Sequence, residues 1–273
     1  QDIFPDVAVE VGAITSPPLI DLLKHLERFC YGRAAAVRVL SDDLAANVTA
    51  KVSRMRRPPH IEVIVNPVDT TTPASPDSDT PYRRELGLGD ATVFMYAGNL
   101  GHSQSLDLVV GAARRHTHRS DIAYVINGGG VMADHITRVA ADIPNLTVIG
   151  YQPPERVSEV LATADVHLVL LKAGLSASSV PSKAFSALAS ARPLIAAIDI
   201  GTEVANVVSE AGAGLAVPPD DLEAFVAAVE CLANDPDARH LMGESGSAWI
   251  AERRSPAVVA GALATLAEEL GTK

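Results

Sequence analysis

Along most of this chain, short apolar runs alternate with segments whose apolar residues recur every three or four positions. Runs of the first kind centre near Phe94, Tyr124, Val148, Leu168, Ile195 and Ala216 and predict strands. Segments of the second kind cover Leu106–Arg115, Ala133–Ala141, Pro154–Ala162, Pro181–Ala189 and Glu203–Ala211 and predict helices. Repeated strand–helix units imply an α/β fold, a parallel sheet with helices on both faces. Upstream, Ser16-Pro17 caps a helix carrying Leu19, Leu22, Leu23, Leu26, Phe29 and Cys30 and stopped at Gly32. Ala36–Leu40 and Ile61–Val65 read as strands flanking a helix at Asp42–Lys51. Between the two regions, Asp69 to Pro81 is rich in Thr, Pro, Ser and Asp and reads as a linker. Asp220 with Glu223 reads as a capping box for a helix to Leu232. Ser255-Pro256 opens a last helix with a stripe of Val258, Val259, Leu263, Leu266 and Leu270, ended by Gly271.

Composition narrows the class. The 273 residues suffice for one or two domains. A hydrophobic content of 48% with only 4% aromatic residues makes the expected core one of Ala, Val, Leu and Ile. No apolar run reaches the roughly 18 residues of a membrane span, and no basic-then-apolar leader opens the chain, so the expected location is cytoplasmic. Cys30 and Cys231 belong to no Cys-x-x-Cys pair and read as plain thiols. The net charge is −11; residues 1–70 hold 8 basic and 9 acidic side chains, residues 71–273 hold 14 and 24. So acidic a surface argues against nucleic acid as a partner. Lys51–Arg57 is the exception: it reads either as a solvated helix end or as an edge facing anionic lipid at the inner face of the membrane or a phosphorylated acceptor.

Candidate chemistry lies in two stretches. Thr92–Leu108 runs from a strand through Gly98, Asn99 and Gly101 into a helix. A glycine turn at a helix N-terminus can cradle a phosphate, because the backbone comes close and free N–H groups point at the anion. It also suits a turn that only packs, and its spacing is neither that of a Walker loop nor a dinucleotide fingerprint. Ser178–Ala197 places Pro181 at a helix start, Ala184, Phe185 and Leu188 on its buried face, and Arg192-Pro193 at its end. Ligands of open α/β sheets bind beyond the carboxyl ends of the strands. The loops there, Gly98–Ser103, Asn127–Gly130, Gly150–Pro153, Lys172–Ser179 and Asp199–Thr202, are all glycine-rich or polar and predict one ligand cleft. His102, His116, His118 and His135 lack metal-ligand spacing with carboxylates, and Asp77-Ser78-Asp79 lies in the linker, so no obligatory metal is expected.

Tyr96–Gly101, Pro181–Lys183 (proline-serine-lysine), Val148–Gln152 and Asn66–Asp69 (N-P-V-D) together resemble family-4 glycosyltransferases of the GT-B fold. The likeness is strongest to bacterial enzymes that build envelope polysaccharides, the fucosamine-transferase-like group among them. It covers nearly the whole chain and implies that Gln1–Asp6 lies well inside a first domain, so that the sequence is N-terminally incomplete. On that resemblance residues 1–70 are the remainder of an acceptor-side N-terminal domain, 71–81 a linker, 82–252 a Rossmann-like donor-binding domain and 253–273 a helix crossing back.

The resemblance implies retaining transfer of a sugar, an N-acetylated or deoxy hexose, from a nucleotide diphosphate donor, a UDP-sugar, to a polysaccharide or polyprenol-linked acceptor. It places the diphosphate at Gly98, Asn99 and Gly101, with Lys183 as a cation; a solvated Lys183 is the other reading. It places the base at Tyr151 and Gln152, and sugar and ribose at Ser178, Ser179, Ser182 and Ser186. Two departures stand out. Serines 178 and 186 occupy positions where many relatives carry glutamates, and Asn99 and Gln104 stand where many carry an arginine and a lysine. No catalytic residue is assigned. A non-hydrolysing UDP-sugar 2-epimerase and a non-catalytic nucleotide-binding module remain alternatives, and the chain alone is expected to bind nucleotide without transferring sugar.

Overall fold

A computed structural model describes residues 2–69, 79–175 and 177–271. The N-terminal part runs through α1 (Asp6–Glu10), α2 (Pro17–Tyr31), β1 (Ala36–Val39), α3 (Asp42–Val52) and β2 (His60–Val63). β1 and β2 pair in parallel as a two-stranded sheet. Most of the expected linker lies outside the described residues. Its end is helical: α4 (Pro81–Glu85) is capped by Thr80, whose hydroxyl accepts from the Arg83 N–H, and it buries Tyr82 and Arg83.

The larger part follows as β3 (Thr92–Asn99), α5 (Leu106–Arg115), β4 (Ile122–Gly129), α6 (Ala133–Ala140), β5 (Leu146–Ile149), α7 (Val157–Thr163), β6 (Val166–Leu170), α8 (Lys183–Ala189), β7 (Leu194–Ala197), α9 (Glu203–Glu210) and β8 (Gly214–Val217). The chain closes with α10 (Leu222–Asn234), α11 (Pro236–Arg253) and α12 (Pro256–Gly271). Six parallel strands form one sheet in the order β5-β4-β3-β6-β7-β8. The order reverses between β3 and β6, and there the carboxyl ends of the strands open a crevice.

Helices cover both faces because the inner strands are apolar on both sides. On one face Phe94, Tyr96, Tyr124, Leu168 and Ile195 pack against α5, α6 and α10. On the other, Val169, Leu171 and Ala196 pack against Phe185 and Leu188 of α8, Val204 and Val208 of α9, and Ile250 of α11. Ile3, Leu44, Val48 and Val68 belong to this same core, so the N-terminal part is continuous with the larger one. Arg254 ties them further: its carbonyl accepts from the Val68 N–H at 2.9 Å, and its guanidinium lies 3.6 Å over the Phe185 ring and pairs with Glu203.

Three local expectations need correction. α8 begins at Lys183, two residues late, because the carbonyls of Pro181 and Ser182 accept from Ala184 and Phe185 in a tighter entry turn. Asp220 is not the cap of α10; it sits at φ +60° with its carboxylate on the Ser105 hydroxyl, and Asp221 caps by accepting from the Ala224 N–H at 3.0 Å. The stripe of α12 is largely uncovered, with only Val259 buried. α2 likewise buries no residue, leaving Leu19, Leu22, Leu26 and Phe29 exposed.

Candidate functional site

A cavity of about 230 Å³ lies at the reversal point of the sheet. Five of the expected residues line it: Gly98, Tyr151, Gln152, Lys183 and Ser186. Its walls are mostly apolar, with Val157, Val160 and Leu161 of α7 on one side.

Its cation is Lys183, the first residue of α8. The side chain crosses to the end of β3, where Nζ donates to the Tyr96 hydroxyl at 2.6 Å and lies 4.4 Å from the ring centroid. Tyr96 passes its own proton on to the Asn99 carbonyl at 2.6 Å. No carboxylate pairs with Lys183 among the described residues, and burial pulls its ammonium down from 10.5 to about 8. The same burial raises the Tyr96 phenol above its ordinary range, so it stays a neutral partner.

Gly98 makes room for this chain. Its φ is +147°, and a Cβ there would stand 2.5 Å from the Lys183 Nζ. The glycine that reads as a phosphate approach in the sequence therefore first accommodates the lysine. Gly101 is buried, and its N–H already donates to the Gln104 Oε1 at 2.9 Å. Asn99 is exposed on the same loop.

Tyr151, also on the cavity wall, lies across Gly129, its hydroxyl donating to the Gly129 carbonyl at 3.1 Å. Gln152 donates to the Gly150 carbonyl at 3.2 Å. Of two further polar lining residues, the sequence reading passes over His167 and places Asn127 only as the first residue of a cleft loop. His167 on β6 is fully buried; its Nε2 donates to the Leu161 carbonyl at 3.0 Å, and burial holds the ring neutral with its pKa down at about 4. Asn127, near the end of β4, is anchored to Gly150 and to the Tyr82 hydroxyl. Its place in the run Ile126-Asn127-Gly128, a polar residue closing an apolar strand, was the available signal.

Ser178, Ser179 and Ser182 do not line the cavity. The Ser178 hydroxyl is buried against the Glu10 carboxylate, Ser179 donates to Asp2, and the Ser178 carbonyl accepts from the Ile3 N–H at 2.7 Å. The N-terminal segment thus occupies the groups that the sequence reading offers to a sugar. Ser182 is the half-buried residue before α8. Lys51, first of the basic run, is engaged inside the fold with Asp6 at 2.8 Å and Glu27 at 2.6 Å, while Arg54, Arg56 and Arg57 are exposed.

Among the described residues, no three His, Cys, Asp or Glu side chains converge to hold a metal. His116 is buried between the Tyr124 hydroxyl at 2.7 Å and Glu230 at 3.2 Å, behind the sheet. No helix among them is long and apolar enough to cross a membrane. A larger cavity of about 490 Å³ lies between α2, β1 and α3; it is lined by apolar groups such as Leu23, Leu26 and Val39 and lacks the donor-edge glycines.

Solved structures share this architecture. Sucrose-phosphate synthase from Thermosynechococcus elongatus aligns with a TM-score of 0.74 at 16% identity, over 97% of this chain and 66% of that one. Anabaena Alr3699/HepE, solved in complex with UDP, aligns with a TM-score of 0.74 at 16% identity, over 95% of this chain and 70% of that one. The fold is therefore of the GT-B type. Among curated proteins, "Probable glycosyltransferase WbjE" of Pseudomonas aeruginosa is 28% identical over 229 residues, 81% of this chain and 55% of that protein. Alpha-D-kanosaminyltransferase of Streptomyces kanamyceticus is 24% identical over 259 residues, 92% of this chain and 64% of that protein. The chain thus spans between half and two thirds of the length of these relatives. The family described as "Glycosyl transferases group 1" matches residues 91–235, more than half of the chain and all of β3 to β8, and the chain belongs to that family.

Proposed function

We propose that this chain carries the donor site of a glycosyltransferase acting on a UDP-sugar. The observation that carries this reading is Lys183: a half-buried, desolvated ammonium without a carboxylate partner among the described residues, at the carboxyl edge of a parallel sheet, lining a cavity whose other walls are mostly apolar. An anion is the natural complement of such a group, and transfer from a nucleotide diphosphate leaves one. The main catalytic contribution would be charge stabilisation of the departing diphosphate. Neighbours of the same fold solved with UDP and with UDP-glucose support a uridine nucleotide.

The diphosphate takes Gly98, Asn99, Gly101 and Lys183, the base takes Tyr151 and Gln152, and Ser186 at the cavity wall meets the ribose. The sugar is an N-acetylated or deoxy hexose, moved with retention to a saccharide or polyprenol-linked acceptor that meets the N-terminal side. Exposed Arg54, Arg56 and Arg57 suit contact with an anionic membrane surface. Among the described residues no Asp or Glu lines the cavity, so the acid–base pair of an epimerase has no support there. Calorimetry with UDP and UDP-N-acetylglucosamine tests the donor site directly. Micromolar to sub-millimolar binding that Lys183→Ala weakens is expected; saturating titrations without heat or competition would refute it.

A further inference from the structure

The donor cavity contains an acceptor for which the chain supplies no donor. Asn127 is only 5% exposed and lines the cavity. Its Nδ2 donates to the Gly150 carbonyl at 3.2 Å and to the Tyr82 hydroxyl at 3.4 Å. A carbonyl oxygen can only accept, so the contact with Gly150 fixes which end of the amide is nitrogen. Both amide hydrogens are then engaged, and Oδ1 is the one group Asn127 has left to offer. Among the described residues nothing donates to it. Oδ1 is not among the buried unpartnered atoms of the chain, so it reaches open space, and the space that Asn127 lines is the cavity; a ligand that covered this oxygen without donating to it would bind at a cost.

The surroundings suggest what supplies that partner. Val157, Val160 and Leu161 form an apolar wall suited to a flat heterocycle, Tyr151 flanks the mouth, and the Lys183 ammonium lines the same cavity. We propose that Asn127 selects the base of the donor nucleotide, its Oδ1 accepting the imide N–H of uracil. This rests on the reading of the cavity as a nucleotide diphosphate site. Tyr82, reaching in from α4, is the positioning residue that holds the amide in this orientation.

Cytosine makes the sharpest comparison. It matches uracil in size, but its ring nitrogen at the same place carries a lone pair instead of a hydrogen, and that lone pair would face Oδ1. Shape cannot separate the two bases, so discrimination between them reports the hydrogen bond. Guanine keeps an imide N–H and is tolerated by this contact.

The test is calorimetry of this chain at neutral pH with UDP, CDP, UDP methylated at N3, and inorganic pyrophosphate. UDP should bind about tenfold or more tightly than CDP, the usual scale for an acceptor that a ligand covers without supplying its hydrogen. Methylation at N3 should cost at least as much, on the unaltered protein. Asn127→Leu should bring UDP and CDP to within about twofold of each other while pyrophosphate affinity is unchanged. Equal binding of UDP, CDP and the N3-methyl derivative to the unaltered chain would overturn the role of Asn127 and leave the nucleotide site standing. An undiminished UDP preference in Asn127→Leu would do the same. Failure of every nucleotide to bind would instead remove the site itself, and this proposal with it.

Discussion

Replacing Lys183 with Met separates what the lysine does for the fold from what it does for the ligand. In the folded chain the ammonium is held at about 8 instead of 10.5, mainly by desolvation. The folded state therefore binds fewer protons than the unfolded state between those two values, and stability rises with pH across that window. Below pH 8 both states are charged and folding bears the whole penalty, about 3 kcal/mol for a displacement of this size. The bond to the Tyr96 hydroxyl, about 1 kcal/mol, and the stacking over its ring offset part of it. Lys183→Met, which keeps the length and drops the charge, should thus stabilise the chain by roughly 1–2 kcal/mol at pH 7. The gain should shrink as pH climbs from 8 towards 10.5, because the wild-type lysine becomes neutral and catches up. The same change should weaken UDP binding about 10- to 150-fold, the loss of a charge-assisted bond worth about 1.5–3 kcal/mol. Urea unfolding of both proteins across pH 7–10.5, with UDP calorimetry at pH 7, measures both arms. A variant that is less stable at pH 7 and binds UDP as well as the wild type would refute the reasoning.

Gly98→Ala should act like the loss of Lys183, since the added Cβ would meet Nζ at 2.5 Å at a strained φ of +147°. Gly101→Ala should cost UDP affinity much less, because its Cβ meets only the side-chain ends of Asn99 and Gln104, at 2.8 and 2.9 Å; calorimetry on the pair of variants separates them, and equal losses would discredit the Gly98–Lys183 coupling. His167 is held neutral with its pKa at about 4, so its contribution is complete above pH 6.5 and is lost as pH falls towards 4, by up to about 3 kcal/mol. His167→Gln should flatten that part of the acid-unfolding curve, and an unchanged curve would count against it. Arg83→Met should destabilise by about 3–5 kcal/mol in urea, since it removes the cation 3.1 Å from the largely buried Asp165 carboxylate and leaves it the Val93 N–H at 2.8 Å; a change below about 1 kcal/mol would argue against that ion pair.

The sheet was legible because its strands obey the simplest rule available to sequence. Strands buried on both faces read as continuous apolar runs, and β3, β4, β6 and β7 do so. α11 was not anticipated, and its packing explains why. Among its residues only Gly243, Gly246 and Ile250 are buried. A Cβ at Gly243 would stand 2.2 Å from the Ala191 carbonyl, so close contact by missing side chains replaces an apolar stripe. Periodicity detects stripes and is blind to contacts of that kind. α4 was hidden for another reason: a five-residue helix beginning with Pro81 looks like the end of a proline-rich linker until its buried Tyr82 and Arg83 are seen.

The candidate site divides along the same line. Residue types at strand ends could be read: Gly98, Tyr151, Gln152 and Lys183 do meet at one cavity. Their relations could not. Whether Lys183 is solvated or buried depends on α8 starting opposite the end of β3, and whether Ser178 is free depends on Glu10, 168 positions away in sequence. Asn127 likewise depends on two other elements, a carbonyl from the end of β5 and a hydroxyl from α4. Each misjudged residue is polar, and each has its role set by a partner from a distant element. Apolar patterning can locate the cavity, since burial is a property of single positions. The chemistry within it belongs to pairs, and Gly98 shows how far that goes: the missing side chain of one residue is the space in which the charge of another is held.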